Sequence, residues 1–218
     1  MVPDGNQTQK VSNPCWDWTW SSARQHFKSV DPALDALVSG LSNPVDSTVR
    51  SAYESLARAI VGQQLSTKAA ATIWRRFMDL HGGILSPDAV LETDAERHRS
   101  AGISGQKHGY LQDLARHYLQ DPDGFDDVMK WDDEAIIESW TRVKGLGRWT
   151  VQMHLMFQMR RPDVFAPDDL GIRRAMERFC DVPVDSRRSV YAERASIWGP
   201  FRTAACRFLW DGLDTQPK

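Results

Sequence analysis

Two short stretches of this chain combine residue types that do chemistry with residue types that aim them. The first is Val143-Lys144-Gly145-Leu146-Gly147-Arg148-Trp149-Thr150. Glycines two apart between helical patterns mark a short helix–helix turn, because glycine admits positive φ and lets a second backbone come close. The helix that opens at Arg148 begins with N–H groups that have no partner inside the helix. Such a terminus attracts an anion, and a nucleic-acid phosphate is a natural occupant, with Lys144 and Arg148 adding charge. A tight connection that needs glycine only for sterics is the competing reading. The second stretch is Pro162-Asp163-Val164-Phe165-Ala166-Pro167-Asp168-Asp169. Two carboxylates after a proline at a helix start fit ordinary capping, with Asp168 as the cap and Asp169 favoured by the helix dipole. An ionised carboxylate held there can also stabilise developing positive charge and orient or deprotonate a water. The residue types alone leave both readings open.

The elements that must position these stretches read as helix nearly throughout, with no long alternating strand pattern. Asp31-Pro32 starts a short helix ending before Gly40. A longer one is expected over residues 45–61, with Val49, Tyr53, Leu56, Ile60 and Val61 as its apolar stripe and Gly62 as its break. Ser66 caps the next, which stops at His81-Gly82-Gly83, and Ser86-Pro87 opens another with proline at the favoured first position. Further helices are expected over 93–100, 106–119, 132–142, 148–159, from Pro167 to Phe179, 186–198 and 200–210, with Gly102-Ile103-Ser104-Gly105 as a turn. Trp16, Trp18 and Trp20 stand where a polar N-terminus meets the first helical pattern and are expected to anchor it on the core. The fold class expected is all-α.

The hydrophobic share of 41% and charged share of 26% are those of an ordinary globular chain. No apolar run approaches the ~20 residues that cross a bilayer, and residues 1–13 lack the apolar core of a secretory signal. Cys15, Cys180 and Cys206 are far apart, without the closely spaced ligands of a structural zinc or iron–sulfur site, so no such cofactor is expected and a reducing cytoplasm fits. A net charge of −2 and a pI near 6.3 argue by themselves against a nucleic-acid binder. The distribution argues the other way. Between Thr141 and Arg178 eight basic residues face four acidic ones, while the preceding twenty residues are acidic. Such asymmetry can localise a phosphate-binding face, although a solvated helix surface would look the same.

Taken together and in order, the hairpin stretch and the Asp168-Asp169 stretch resemble the helix-hairpin-helix DNA glycosylases, in the branch of the 3-methyladenine glycosylase II enzymes. Arg58-Ala59-Ile60-Val61-Gly62-Gln63-Gln64-Leu65-Ser66 is similar to that family's upstream helix and DNA-probing loop. Gly102-Ile103-Ser104 with Lys107 and Tyr110 resembles its middle segment, and Trp198-Gly199-Pro200-Phe201-Arg202 its C-terminal motif. The resemblance implies two helical subdomains with a cleft between them and no N-terminal β domain. Residues 1–14 would be a disordered tail. Residues 15–48 with 162–218 would form one subdomain, and residues 49–161 the central bundle carrying the hairpin.

The resemblance also implies roles. Asp169, 22 residues beyond Gly147, would be the catalytic carboxylate, with Asp168 left to cap the helix. Trp149, Met153, Leu170 and Phe201 would line the pocket for an everted base. Gln63, Gln64, Lys144, Gly145, Gly147, Arg148 and Thr150 would contact DNA, with Gln64 favoured over Gln63 as the plug that fills the vacated stack. The backbone carbonyls of Thr141, Val143 and Leu146 would hold Na+ or K+ bridging to a phosphate. Bifunctional relatives carry a nucleophilic lysine where this chain has Trp149, so water attack and an intact abasic site are implied. The expected function is monofunctional excision of alkylated bases from double-stranded DNA by a monomer. A non-catalytic DNA-binding module of the same motif is the alternative, as is a glycosylase for an oxidised or deaminated base or an alkylated pyrimidine.

Overall fold

In the computed structural model, residues 18–46 and 48–215 are described. The expected tail, with Cys15 and Trp16, lies outside them. Among the described residues the chain is helical with no strand: α1 (Trp20–Val30), α2 (Pro32–Ser39), α3 (Ala52–Gly62), α4 (Thr67–Leu80), α5 (Pro87–Glu92), α6 (Ala95–Ser100), α7 (Gly105–Gln120), α8 (Asp123–Asp126), α9 (Asp133–Trp140), α10 (Arg148–Phe157), α11 (Leu170–Phe179), α12 (Arg188–Arg194), a 3-10 turn (Ala195–Trp198) and α13 (Arg202–Thr215).

Short polar side chains set most of the helix starts. Ser51, Ser66, Ser86, Asp94, Ser104 and Asp132 each accept a backbone N–H two or three residues on, which satisfies a donor the helix cannot satisfy itself. Two differences from the sequence expectation follow from caps. The helix expected to begin near Val45 begins at Ala52, because Ser51 caps it and Val45 stands exposed in an extended approach. Helix α1 was not expected; a reciprocal capping box between Thr19 and Ser22 starts it, and Ala23 and Phe27 bury its inner face. Trp18 and Trp20 do meet the core: the Trp18 indole donates to Arg160 O at 2.9 Å, and Trp20 packs edge-on against Trp18 and Phe208.

The extensive helix contacts fall into two sets, α3 to α10 in one and α1, α2, α11, α13 and the 3-10 turn, with α12 against it, in the other. Buried polar ties hold the second set together. Asp31 caps α2 and also receives Arg194 and the Trp198 indole, the latter at 2.6 Å. Burial alone would raise the Asp31 carboxyl, but the donors from Arg194, Trp198 and Leu34 outweigh it and hold it below the usual carboxylate range. Between the sets run few but specific bonds, among them Gln152 Nε2 to Phe165 O at 2.9 Å and Trp149 Nε1 to Asp169 Oδ2 at 2.8 Å. That second bond joins the glycine hairpin stretch to the Asp168-Asp169 stretch.

Candidate active site

The hairpin between α9 and α10 is anchored by burying Val143 and Leu146. Gly145 has φ +87°, and a Cβ there would stand 2.3 Å from the Tyr110 ring. Its glycine is therefore required twice, by conformation and by the approach of α7. Lys144 N donates to Asp113 Oδ2 at 2.8 Å, a second tie to α7. Gly147 differs: a Cβ there would meet nothing within 4 Å. It is the N-cap of α10, is exposed, and supplies no side chain to the helix's first N–H groups.

The basic residues around the hairpin are more engaged than their count in the sequence indicates. Arg148 forms a bidentate pair with Glu134, and Arg142 pairs with Glu138. Arg160 pairs with Asp46, and Arg161 is buried, donating to the carbonyls of Val128, Met129 and Trp131. Arg173 donates to Ser186 O. The expectation of a broad cationic stripe is thus narrowed, because several of these guanidinium groups brace the fold. Among the described residues Lys144 is exposed and in no ion pair.

The loop between α3 and α4 is fixed from below. Lys107 Nζ donates to Val61 O at 2.7 Å and Gln63 O at 2.8 Å, with its pKa lowered by burial. Gln63 Nε2 in turn donates to Gly145 O at 2.7 Å. The two glutamines, alike in sequence, are therefore used differently: Gln63 ties the loop to the hairpin, while Gln64, exposed at φ +58°, points the loop outward beside Leu65.

The cap expected of Asp168 is supplied by Asp169 instead. Asp169 is the N-cap of α11, its Oδ1 accepting Ile172 N at 2.8 Å. Asp168 lies exposed, one residue too early, and pairs with Arg188 at 3.1 Å. The capping function does not remove Asp169 from chemistry. Its Oδ1 also accepts the Trp210 indole at 2.9 Å, and its Oδ2 accepts the Trp149 indole at 2.8 Å. A carboxylate with three N–H donors from three elements is oriented to a degree that a capping bond alone would not achieve. Trp210 was not singled out in the sequence: it is 41 residues from Asp169, and no local spacing connects them.

A groove of about 580 Å³ opens between the α3–α4 loop and α10, lined by Arg58, Gln63, Gln64, Trp149, Met153 and Phe157 among others, with Thr150 at its edge. Leu170 and Phe201, expected beside the base, do not line it, and Asp169 reaches it only through its bond to Trp149. Leu170 begins α11 on the solvent side and is 58% exposed, and Phe201 is turned toward His26, with ring centroids 5.4 Å apart. Both neighbour a motif residue in sequence, but Leu170 sits on the outer side of the first turn of α11 and Phe201 in the connection before α13, where packing sets their directions. Trp149 is 48% exposed and lines the groove while its indole N–H is engaged with Asp169. Among the described residues no group of three or more His, Cys, Asp and Glu side chains has the arrangement to hold a metal ion, and no helix is long and apolar enough to cross a membrane.

Residues 57–200 match the family model described as "HhH-GPD superfamily base excision DNA repair protein". The chain is similar to DNA-3-methyladenine glycosylase 1 of Schizosaccharomyces pombe, 35% identical over 164 residues that cover 72% of this chain and 71% of that one. Its fold is similar to that of the 3-methyladenine DNA glycosylase of the same yeast solved with abasic DNA, at a TM-score of 0.77 and 31% identity, covering 87% of this chain and 95% of that one. It is similar also to a DNA-3-methyladenine glycosidase from Bacillus halodurans, at a TM-score of 0.78 and 28% identity, covering 91% of each chain.

Proposed function

This chain belongs to the HhH-GPD superfamily of base excision DNA repair proteins, and from that premise we propose that it is a monofunctional DNA glycosylase, a hydrolase that removes alkylated bases of the 3-methyladenine and 7-methylguanine type from duplex DNA. The observation that carries the reading is the Asp169 carboxylate, hydrogen-bonded at 2.8 Å to the indole of Trp149, the hairpin helix's exposed aromatic and a lining residue of the groove.

A base inside a duplex is out of reach, so the nucleotide must be everted and its place filled. Gln64, outward at the loop tip, is the side chain suited to fill the gap, while Gln63 holds the loop to the hairpin. The open N-terminus of α10 at Gly147, with Lys144, Arg148 and Thr150 near it, takes a phosphate on its unpartnered N–H groups. The backbone of Thr141, Val143 and Leu146 offers hard oxygen donors of the kind Na+ or K+ takes. Val143 O accepts Leu146 N at 3.1 Å and keeps a second lone pair; these carbonyls would hold such an ion, which would supply positive charge for a phosphate.

An N3- or N7-alkylated purine carries positive charge. Stacked on the Trp149 face it gains a cation–π attraction, about 1–2 kcal/mol once desolvated. When the C1′–N bond breaks, its electron pair leaves with the base, which becomes neutral without needing a proton. Positive charge develops instead on the sugar. The Asp169 carboxylate stabilises that charge and accepts a proton from the attacking water, whose oxygen bonds to C1′. The position of Trp149 holds no amine, and Lys107 is committed to the Val61 and Gln63 carbonyls, so the sugar is not captured and an intact abasic site remains. The protein acts as a monomer.

The test is single-turnover release of bases from a duplex panel carrying alkylated, oxidised and deaminated lesions. We expect alkylated purines to be released and Asp169→Asn to lower their release by about 10²- to 10³-fold. Release at the wild-type rate by that variant would remove Asp169 from the mechanism, and DNA binding without release of any base would leave only a binding module.

A further inference from the structure

The hydrolysis proposed above needs one Asp169 oxygen presented to the sugar and the other held still, and the structure treats the two oxygens unequally. Oδ1 accepts two N–H donors, Ile172 N at 2.8 Å and Trp210 Nε1 at 2.9 Å. Oδ2 accepts the Trp149 indole from the first turn of α10. The capping bond to Ile172 pins one oxygen but leaves the carboxylate free to turn about it. A second donor from a different helix fixes the plane.

Trp210 is built to be that donor. Its ring stacks on Phe157 with centroids 5.6 Å apart and planes 26° apart. Beside its Cδ1–Nε1 edge is Gly171, where a Cβ would stand 3.0 Å from Trp210 Cδ1 and Nε1 and 3.1 Å from Asp169 Oδ1. Gly171 lies inside α11, where glycine weakens a helix relative to alanine. Its lack of a side chain leaves room for the indole to meet the carboxylate without crowding. Trp149, by contrast, is 48% exposed, so its contact with Oδ2 is the one that an entering nucleotide can disturb.

We infer that Trp210 is a positioning residue for the reaction: its indole N–H fixes Asp169 Oδ1 and so assigns Oδ2 as the oxygen that faces the everted nucleotide, with Gly171 making the contact sterically possible. The inference rests on the role given to Asp169 in the proposed function.

Trp210→Phe keeps a ring against Phe157 and removes the N–H. We expect single-turnover release of alkylated purine to fall about 10- to 100-fold, with KM and the affinity for abasic-site duplex unchanged. Gly171→Ala, which crowds the indole, lowers release in the same pattern. A readout that needs no activity uses ¹⁵N-labelled indoles: the Trp210 Nε1–H resonance of the intact protein moves in Asp169→Asn and stays in Asp168→Asn. Wild-type release by Trp210→Phe overturns the assignment. So does a loss of release matched by an equal loss of abasic-DNA affinity, or a Trp210 resonance indifferent to Asp169→Asn. The resonance test decides the matter even if Trp210→Phe does not fold. Normal turnover by Asp169→Asn would instead sink the catalytic reading of Asp169 and leave the indole contact standing.

Discussion

The two helix starts joined by the Trp149–Asp169 bond obey the same electrostatics and are filled in opposite ways. Helix α11 brings its own negative charge: Asp169 caps it, and two indoles complete the carboxylate's hydrogen bonds. Helix α10 brings none: its cap is Gly147, exposed, with no side chain turned back onto the first turn. Each terminus carries unpartnered N–H groups and the positive end of a helix dipole. The one that is satisfied internally is the one proposed for chemistry, where a fixed charge must sit in one place. The one left open is proposed for a phosphate, which must come and go. Glycine at a helix start can thus be read by what surrounds it. Gly145 is demanded by Tyr110 and a positive φ, whereas nothing inside the protein demands Gly147.

That contrast can be broken in several ways. The largest effect expected is from Asp169→Asn, which keeps a good cap and removes the charge. Base release falls about 10²- to 10³-fold while the thermal midpoint changes little, since Asn and Asp cap helices about equally. Parallel single-turnover and calorimetric measurements check this. Next is Gly145→Ala, which places a Cβ against Tyr110 at a φ few side chains adopt. Unfolding in urea should show a loss of about 2–3 kcal/mol, and DNA affinity falls with the distorted hairpin. A sharper test makes the two termini alike. Gly147→Asp gives α10 the internal carboxylate that α11 has; stability changes by a few tenths of a kcal/mol, while affinity for abasic duplex falls about tenfold and the salt dependence weakens by roughly one phosphate contact. Titrating affinity against salt reads both.

The smallest effect belongs to neither terminus and calibrates the others. His98 is buried between His108, at 2.7 Å, and His81, and its pKa is pushed down to about 4 by burial first and then by those neighbours. His154, bonded to Ser55, is pushed down to about 3 by burial. Their unfolded values lie near 6.5. Between that value and the folded ones the unfolded chain binds more protons, so stability is lost as pH falls below about 6.5. The thermal midpoint should decline steadily from pH 7 to pH 5, and His98→Gln should flatten that decline. A midpoint independent of pH over this range would show that these imidazoles are not buried as neutral groups.

Much of the scaffold was legible because helices announce themselves locally. Serine and aspartate caps, proline at first turns and apolar stripes all act within a few residues, and they marked most of the thirteen α-helices described here. Where the reading slipped, the deciding residues were still local but ambiguous. Ser51 rather than the apolar run from Val45 set the start of α3, and the Thr19–Ser22 box started a helix that the tryptophan cluster had masked.

The sequence by itself determined which residue types were available: a glycine hairpin with a tryptophan where an amine would be needed for lyase chemistry, and a carboxylate 22 residues beyond it. Only the tertiary structure decided which of two adjacent aspartates caps α11, which of two adjacent glutamines faces outward, and that Leu170 and Phe201 turn away from the groove. It alone brought Trp210 to Asp169. Most of these residues lie in turns and connections, where no helical or strand period sets side-chain direction, and residues 41 apart share no local signal. The direction of a side chain and its distant partners are set by packing, which the order of residue types constrains without spelling out.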